Sequence, residues 1–206
     1  MAEVAQYISV IKDVITGIAA LVAAVVAIRG LRTWNRQLAG NANYDLAKRV
    51  LASTLKVREE IRRVRNPFIL GGEMQRAKIA LTTEDPSQDV KNLSDEAAVY
   101  QLRFNKLNGA LLELDTNLLE AEILWKVDST SITGPSKASI TELYMALRDH
   151  LKGTQARLEP ARWDEAQAII YSNFQEGKDT FAAKADGAIA TIQRIAIPYI
   201  ESLHHR

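Results

Sequence analysis

Between Val14 and Ile28 the chain runs 15 residues without a charge, and the run ends in Arg29, Arg32, Trp34 and Arg36. No other stretch limits the possible folds so strongly, because a continuous apolar helix needs lipid or protein around it on every side. At ~1.5 Å rise per residue the run falls short of a ~30 Å hydrocarbon layer, so a spanning helix has to borrow from its flanks. Extension back to Ser9 leaves Lys12 and Asp13 just inside the outer boundary, where Lys12 can snorkel. Extension forward places Trp34 in the interfacial belt and lets Arg29 and Arg32 reach phosphates. The competing reading is a buried helix of a soluble domain. A cleaved signal peptide fits less well, since the positive charge follows the run instead of preceding it.

Sidedness follows from the basic residues. Arg29, Arg32, Arg36, Lys48 and Arg49 come after the run against Lys12 alone before it, which predicts an N-terminus outside and a cytoplasmic remainder. The absence of cysteine agrees with a reducing compartment. Gly17, Ala20, Ala24 and Ala27 recur every three or four residues, a small-residue face that would let two spans approach closely and form a homo-oligomer.

With 206 residues in all, a chain that spends about 30 on an anchor keeps enough for one domain with a real core. The division expected is an anchor and juxtamembrane turn over residues 1–37 and a cytoplasmic helical bundle over 41–206. The net charge of +1 conceals an asymmetry: residues 1–65 hold 11 Lys or Arg against five acids, and residues 66–206 hold 15 basic and 20 acidic side chains.

Periodicity predicts an all-α fold. Gly40 to Tyr44, with one glycine and two asparagines, reads as a break that caps a second helix from Tyr44 to Val64. Leu46, Val50, Val57, Ile61 and Val64 form its apolar stripe, and Asn66-Pro67 ends it. Gly71-Gly72 reads as a flexible joint before a short helix from Glu73, followed by a polar loop over 82–92. The longest helix should start after the N-cap Ser94 and reach about Lys126. Val99, Leu102, Leu107, Leu111, Leu114, Leu118 and Ile123, with Leu112, Leu119 and Trp125 beside them, make a broad apolar band. Residues 128–136 read as a second loop, ahead of a helix over 139–152 with Ile140, Leu143, Leu147 and Leu151. Pro160 opens a helix to about Phe174, with Trp163, Ala166 and Ile170 on one side. A last helix over 179–202 carries Phe181, Ala185, Ile189, Ile192, Ala196, Tyr199 and Leu203. Strand patterns with period two are absent from the sequence.

A search for chemistry returns little. No cysteine and no His-x-x-x-His pair is present, so metal sites built from such sets are not expected, and no cofactor is implied. His150, beside Asp149, reads as a solvated side chain at a helix end, and His204 and His205 lie at a terminus. Phosphate-binding glycine loops and serine-nucleophile elbows are missing, and neither Arg148 nor Arg194 precedes a histidine at the spacing that helical ribonucleases use. A tethered hydrolase would require a pocket gathering Arg62, Glu120 and His150. Glu113, Asp115, Glu120 and Glu122 serve more simply to solvate the long helix or to pair with the basic segment 44–65. In that segment Arg58, Arg62 and Arg65 share a face, with Lys48, Arg49 and Arg63 nearby. Together with Arg29, Arg32 and Arg36 they suit anionic lipid, at ~1 kcal/mol for each cation near the surface. A nucleotide signal or RNA could use the same cations, without the interleaved aromatics that stack bases.

Trp34 with Arg36-Gln-Leu, the Tyr44-x-Leu46-Ala47-x-Arg49 helix, and Val64-Arg-Asn-Pro-Phe68 together resemble a pattern that recurs in bacterial single-span membrane proteins of unassigned function. The resemblance covers about a fifth of the chain and implies a bacterial inner-membrane address without a mechanism. The leading expectation is a non-enzymatic single-span protein whose bundle oligomerises or docks a partner. The alternative, by analogy of architecture, is an effector of anti-phage immunity that perturbs the membrane on a cytoplasmic signal.

Overall fold

The computed structural model describes residues 2–84, 93–153, 159–171 and 179–201, without side-chain placement for 2–15. Among these residues every regular element is helical: α1 Ala2–Val64, α2 Gly71–Glu84, α3 Asp95–Trp125, α4 Ser129–Gly153, α5 Pro160–Ile170 and α6 Thr180–Glu201. The chain divides into two compact units, Met1–Asp45 and Leu46–Arg206.

In the first unit, the described apolar side chains of α1 from Ile18 to Leu38 are exposed. Leu21 is 69% exposed, Val26 63% and Leu31 63%, and Gly17, Ala20, Ala24 and Ala27 are exposed as well. This helix is long and apolar enough to cross a membrane.

The break expected at Gly40–Tyr44 does not occur, and α1 continues through it as helix. Glycine and asparagine each cost about 1 kcal/mol or less inside a helix, whereas stopping and restarting would cost a second nucleation. Gly71 and Gly72 are likewise not a joint but the first turn of α2.

In the second unit the stripe Leu46, Val50, Val57, Ile61 and Val64 is buried throughout. Ser53 and Thr54 fill the gap in it, and their hydroxyls donate to carbonyls one turn back, Ser53 to Arg49 at 2.8 Å and Thr54 to Val50 at 2.6 Å. This part of α1 runs antiparallel to α3: Arg49 meets Glu120, Ser53 meets Asn117 and Lys56 meets Glu113.

Ser94 caps α3 as its spacing implied, with its hydroxyl accepting from the Ala97 N–H at 3.1 Å, and Lys126 ends it in the left-handed conformation at φ 56°. The buried side of α3 carries Val99, Leu107, Ala110, Leu114, Leu118, Ala121 and Trp125. Three members of the expected band point away from the core instead: Leu112, Leu119 and Ile123 are 68%, 58% and 79% exposed. One helix face cannot bury a band that wide. A smaller cluster joins α2 to the start of α3 through Ala77, Leu81, Ala98 and Val99.

Residues 129–136 are not a loop. They are the first turns of α4, with Pro135 inside the helix and the Asp128 carboxylate accepting from the N–H groups of Thr130 and Ser131. An aspartate in this place supplies the acceptor that a free helix start needs. Ile140, Leu143 and Leu147 are buried and Leu151 is half-buried against the core. Next, α5 ends at Ile170, short of the expected Phe174, which lies outside the described residues as do Leu203, His204 and His205. Finally, α6 buries Phe181, Ala185, Ile189, Ile192 and Ala196, and Tyr199 stacks on Trp125 of α3 at 4.3 Å between centroids.

Leu114 is fully buried in the middle of the largest cluster. Leu114→Ala should therefore destabilise the protein by about 2–5 kcal/mol, measured as a loss of helical signal at lower urea concentration in detergent solution.

Candidate functional site

Among the described residues, groups that could carry function gather on the bare apolar stretch of α1 with its arginines, on the basic half of α1 within the bundle, and in polar clusters among the helices.

On the bare stretch, Arg29, Arg32, Arg36 and Trp34 are exposed, Trp34 by 63%.

The basic segment within the bundle is largely committed to acids. Arg49 pairs with Glu120 at 2.5 Å, Lys56 with Glu113 at 2.6 Å, and Arg62 and Arg58 with Glu59 at 3.1 and 3.9 Å. Lys48 is exposed. These exposed pairs are worth little each, about 0–1 kcal/mol, and their cations remain open to further contacts.

Arg65 differs from the rest of the expected lipid- or anion-facing set. Its side chain is 6% exposed and its guanidinium binds both Asp179 oxygens at 2.9 Å, while Nε donates to the Ile169 carbonyl at 2.7 Å. The Phe181 ring lies 4.8 Å from the guanidinium carbon. Asp179 in turn accepts from the Ala182 N–H at 2.8 Å, so one buried ion pair joins the end of α1, the end of α5 and the start of α6. A side chain so enclosed is unavailable to a membrane.

Arg103 repeats the arrangement nearby. Nε and Nη2 bind the two Glu73 oxygens at 2.9 and 3.0 Å, Nη1 donates to the Asn66 carbonyl at 2.6 Å, and Nη2 donates to the Phe68 carbonyl at 3.0 Å. The Arg103 hydrogen bond, opposed by partial burial, holds the Glu73 carboxyl below its ordinary value of 4.5. Beside this pair lies a cavity of about 410 Å³ whose lining includes Glu60, Arg63, Phe68 and Lys106. Glu60 accepts from Arg63 through one carboxylate oxygen at 2.9 Å, and its other oxygen is buried without a partner among the described residues. Charges of both signs and the apolar side chains of Phe68 and Leu70 line this cavity.

His150 is not a solvated helix-end residue. It is buried between α3, α4 and α5, with the Trp163 ring stacked on it at 5.0 Å and the Tyr100 and Tyr171 rings set edge-on at 6.3 and 5.8 Å. The Nε2 atom lies 3.2 Å from Glu96 and 3.4 Å from the Tyr171 hydroxyl, and Nδ1 lies 2.9 Å from the Gln167 amide nitrogen. Nδ1 accepting from Gln167 and Nε2–H donating to Glu96 is the tautomer consistent with that amide orientation. Burial and the adjacent Tyr171 raise the Tyr100 phenol above its ordinary value, so it stays protonated. Both ring nitrogens are thus spent on holding three helices together.

The set Arg62, Glu120 and His150 is not brought together. Glu120 and the His150 partner Glu96 sit 24 positions apart on α3, about 36 Å at ~1.5 Å per residue. Among the described residues no three His, Asp or Glu side chains converge where they could hold a metal ion. The chain matches no family model, no curated protein and no solved structure.

Arg65→Ala leaves Asp179 buried without its cation and should cost about 3–5 kcal/mol, whereas Arg62→Ala on the exposed face should cost roughly 0.5 kcal/mol or less; parallel urea titrations compare them. Because the Glu73 carboxyl is depressed in the folded state, its contribution is present above its unfolded value and is lost as pH falls through the folded value. Glu73→Gln should therefore be less stable than the parent at pH ~7, with the gap closing towards pH ~3, read from melting temperatures across that range.

Proposed function

We propose that the chain is a single-span inner-membrane protein, non-enzymatic, whose cytoplasmic helical bundle is held at the membrane by α1 and acts by associating with further copies or with a partner protein. The observation that carries this reading is the unburied apolar surface of α1. Ile18, Leu21, Val22, Val25, Val26, Ile28 and Leu31 are each 49–69% exposed. Leaving these seven side chains in water costs on the order of 10 kcal/mol, given ~1.5–3 kcal/mol for each one fully withdrawn. Lipid removes that cost without any further protein.

The arginines give the anchor its direction. Arg29, Arg32 and Arg36 follow the run and are exposed, where they would meet headgroups of the cytoplasmic leaflet and Trp34 would sit at the interface. The N-terminus is then outside and the bundle inside. Gly17, Ala20, Ala24 and Ala27 are uncovered, and a Cβ added at Gly17 would meet nothing within 4 Å, so this face is free to approach a neighbouring span.

Alkaline carbonate extraction of bacterial membranes tests the anchor. The full-length chain should stay in the pellet until detergent is added, and Val22→Arg combined with Val26→Arg should release it. Recovery of the unmodified chain in the soluble fraction would remove the reading. Protease should reach the bundle in inverted vesicles and spare it in spheroplasts; the opposite pattern would reverse the sidedness.

A further inference from the structure

We propose that the outward side of α3 is a docking surface for a second copy of this chain. Gly109, Leu112, Thr116, Leu119 and Ile123 recur at alternating steps of three and four, which places them in one line along the helix. Leu112, Leu119 and Ile123 are 68%, 58% and 79% exposed, while Leu107, Leu114 and Leu118 on the opposite side are fully buried. The helix therefore carries two apolar seams, and the described residues of a single chain cover one. Gly109 leaves open space at one end of the free seam, with nothing within 4 Å of an added Cβ.

The charges beside the seam say what covers it. On one rim Glu113 and Glu120 are paired with Lys56 and Arg49 of α1. On the other, Asp115 is paired with Lys137 of α4 at 2.9 Å and Glu122 accepts from the Ser129 hydroxyl. Both rims present cations and acids in close pairs, with Arg49, Lys56 and Lys137 each about half exposed. A uniformly acidic or basic partner would meet like charge along either rim. A second copy brings cations opposite acids, so that neighbouring pairs merge into alternating clusters and the like-charge cost falls away.

A seam of five residues over 15 positions of helix is smaller than the ~800 Å² per partner that free-standing dimers usually bury. It gains from a shared membrane, which holds the copies at an effective concentration in the mM range. In that respect the inference rests on the anchoring proposed above.

The chain has no cysteine, so one introduced thiol reports alone. Thr116 is at the middle of the seam, where a residue meets its own counterpart whether the two helices pair parallel or antiparallel. In full-length protein in native membranes under mild oxidation, Thr116→Cys should give at least about tenfold more disulfide dimer than Thr82→Cys, an exposed position on α2. Adding Leu119→Asp should abolish that dimer without changing the amount of protein in the membrane, and the exposure of Leu119 allows the single chain to fold with it.

Equal dimer from Thr116→Cys and Thr82→Cys would overturn the proposal. So would a dimer that survives Leu119→Asp, which would mean that the spans alone bring the copies together, or a crosslink to a chain of different mass. Release of the protein into the soluble fraction is the separate failure of the anchor, and a Leu119-dependent Thr116→Cys dimer found there would still support the seam.

Discussion

Two buried guanidinium groups, Arg65 and Arg103, close the helix ends on which the bundle depends. Each lies where several backbone segments converge, and each satisfies carbonyls that no helix could pair: Ile169 at the end of α5 for Arg65, Asn66 and Phe68 in the turn after α1 for Arg103. A planar cation with five donors suits this work, since it can bind a carboxylate in bidentate fashion and still reach a carbonyl. Burying a charge is costly unless it is paired, and both arginines have a carboxylate drawn from a different helix, Asp179 and Glu73. The order of helices is thereby fixed by groups that tolerate few other arrangements.

How far the sequence reveals this depends on register more than on residue type. Arg65 follows Ile61 by one turn, Arg103 lies between Val99 and Leu107 at steps of four, and His150 follows Leu143 by seven and Leu147 by three. All three occupy positions in an apolar stripe and all three are buried. Reading them by chemical character assigns them to solvent, lipid or anion. Reading them by position on the helix assigns them to the core, where their partners, Asp179, Glu73, Glu96 and Gln167, come from distant sequence that no local pattern identifies.

The same distinction explains the helix boundaries. Ser94 was legible as a cap because a local side chain satisfies a local N–H. The glycine and asparagines at 40–43 and the glycine–proline pair at 134–135 look like breakers by composition, yet both lie inside helices. Their intrinsic cost is of the order of one to three kcal/mol, and in the second unit burial on either side can exceed it. Ile132 and Thr133 are buried just before Gly134-Pro135, and Ser136, Ser139 and Ile140 just after, so the packing of α4 continues across the weak point.

What the chain leaves uncovered carries as much information as what it buries. Leucine doublets at 111–112 and 118–119 supply one residue to the inner side of α3 and one to the outer, and that is why the band expected to be core is only partly buried. Folding satisfies the inner side with α1 and the helices that follow. The outer seam and the apolar length of α1 have no such partner among the described residues, and the two demand different solvents. A surface that is apolar all the way round, as on α1, suits lipid; a narrow stripe bordered by paired charges, as on α3, suits another helix in water, because a membrane would strand the charged rims.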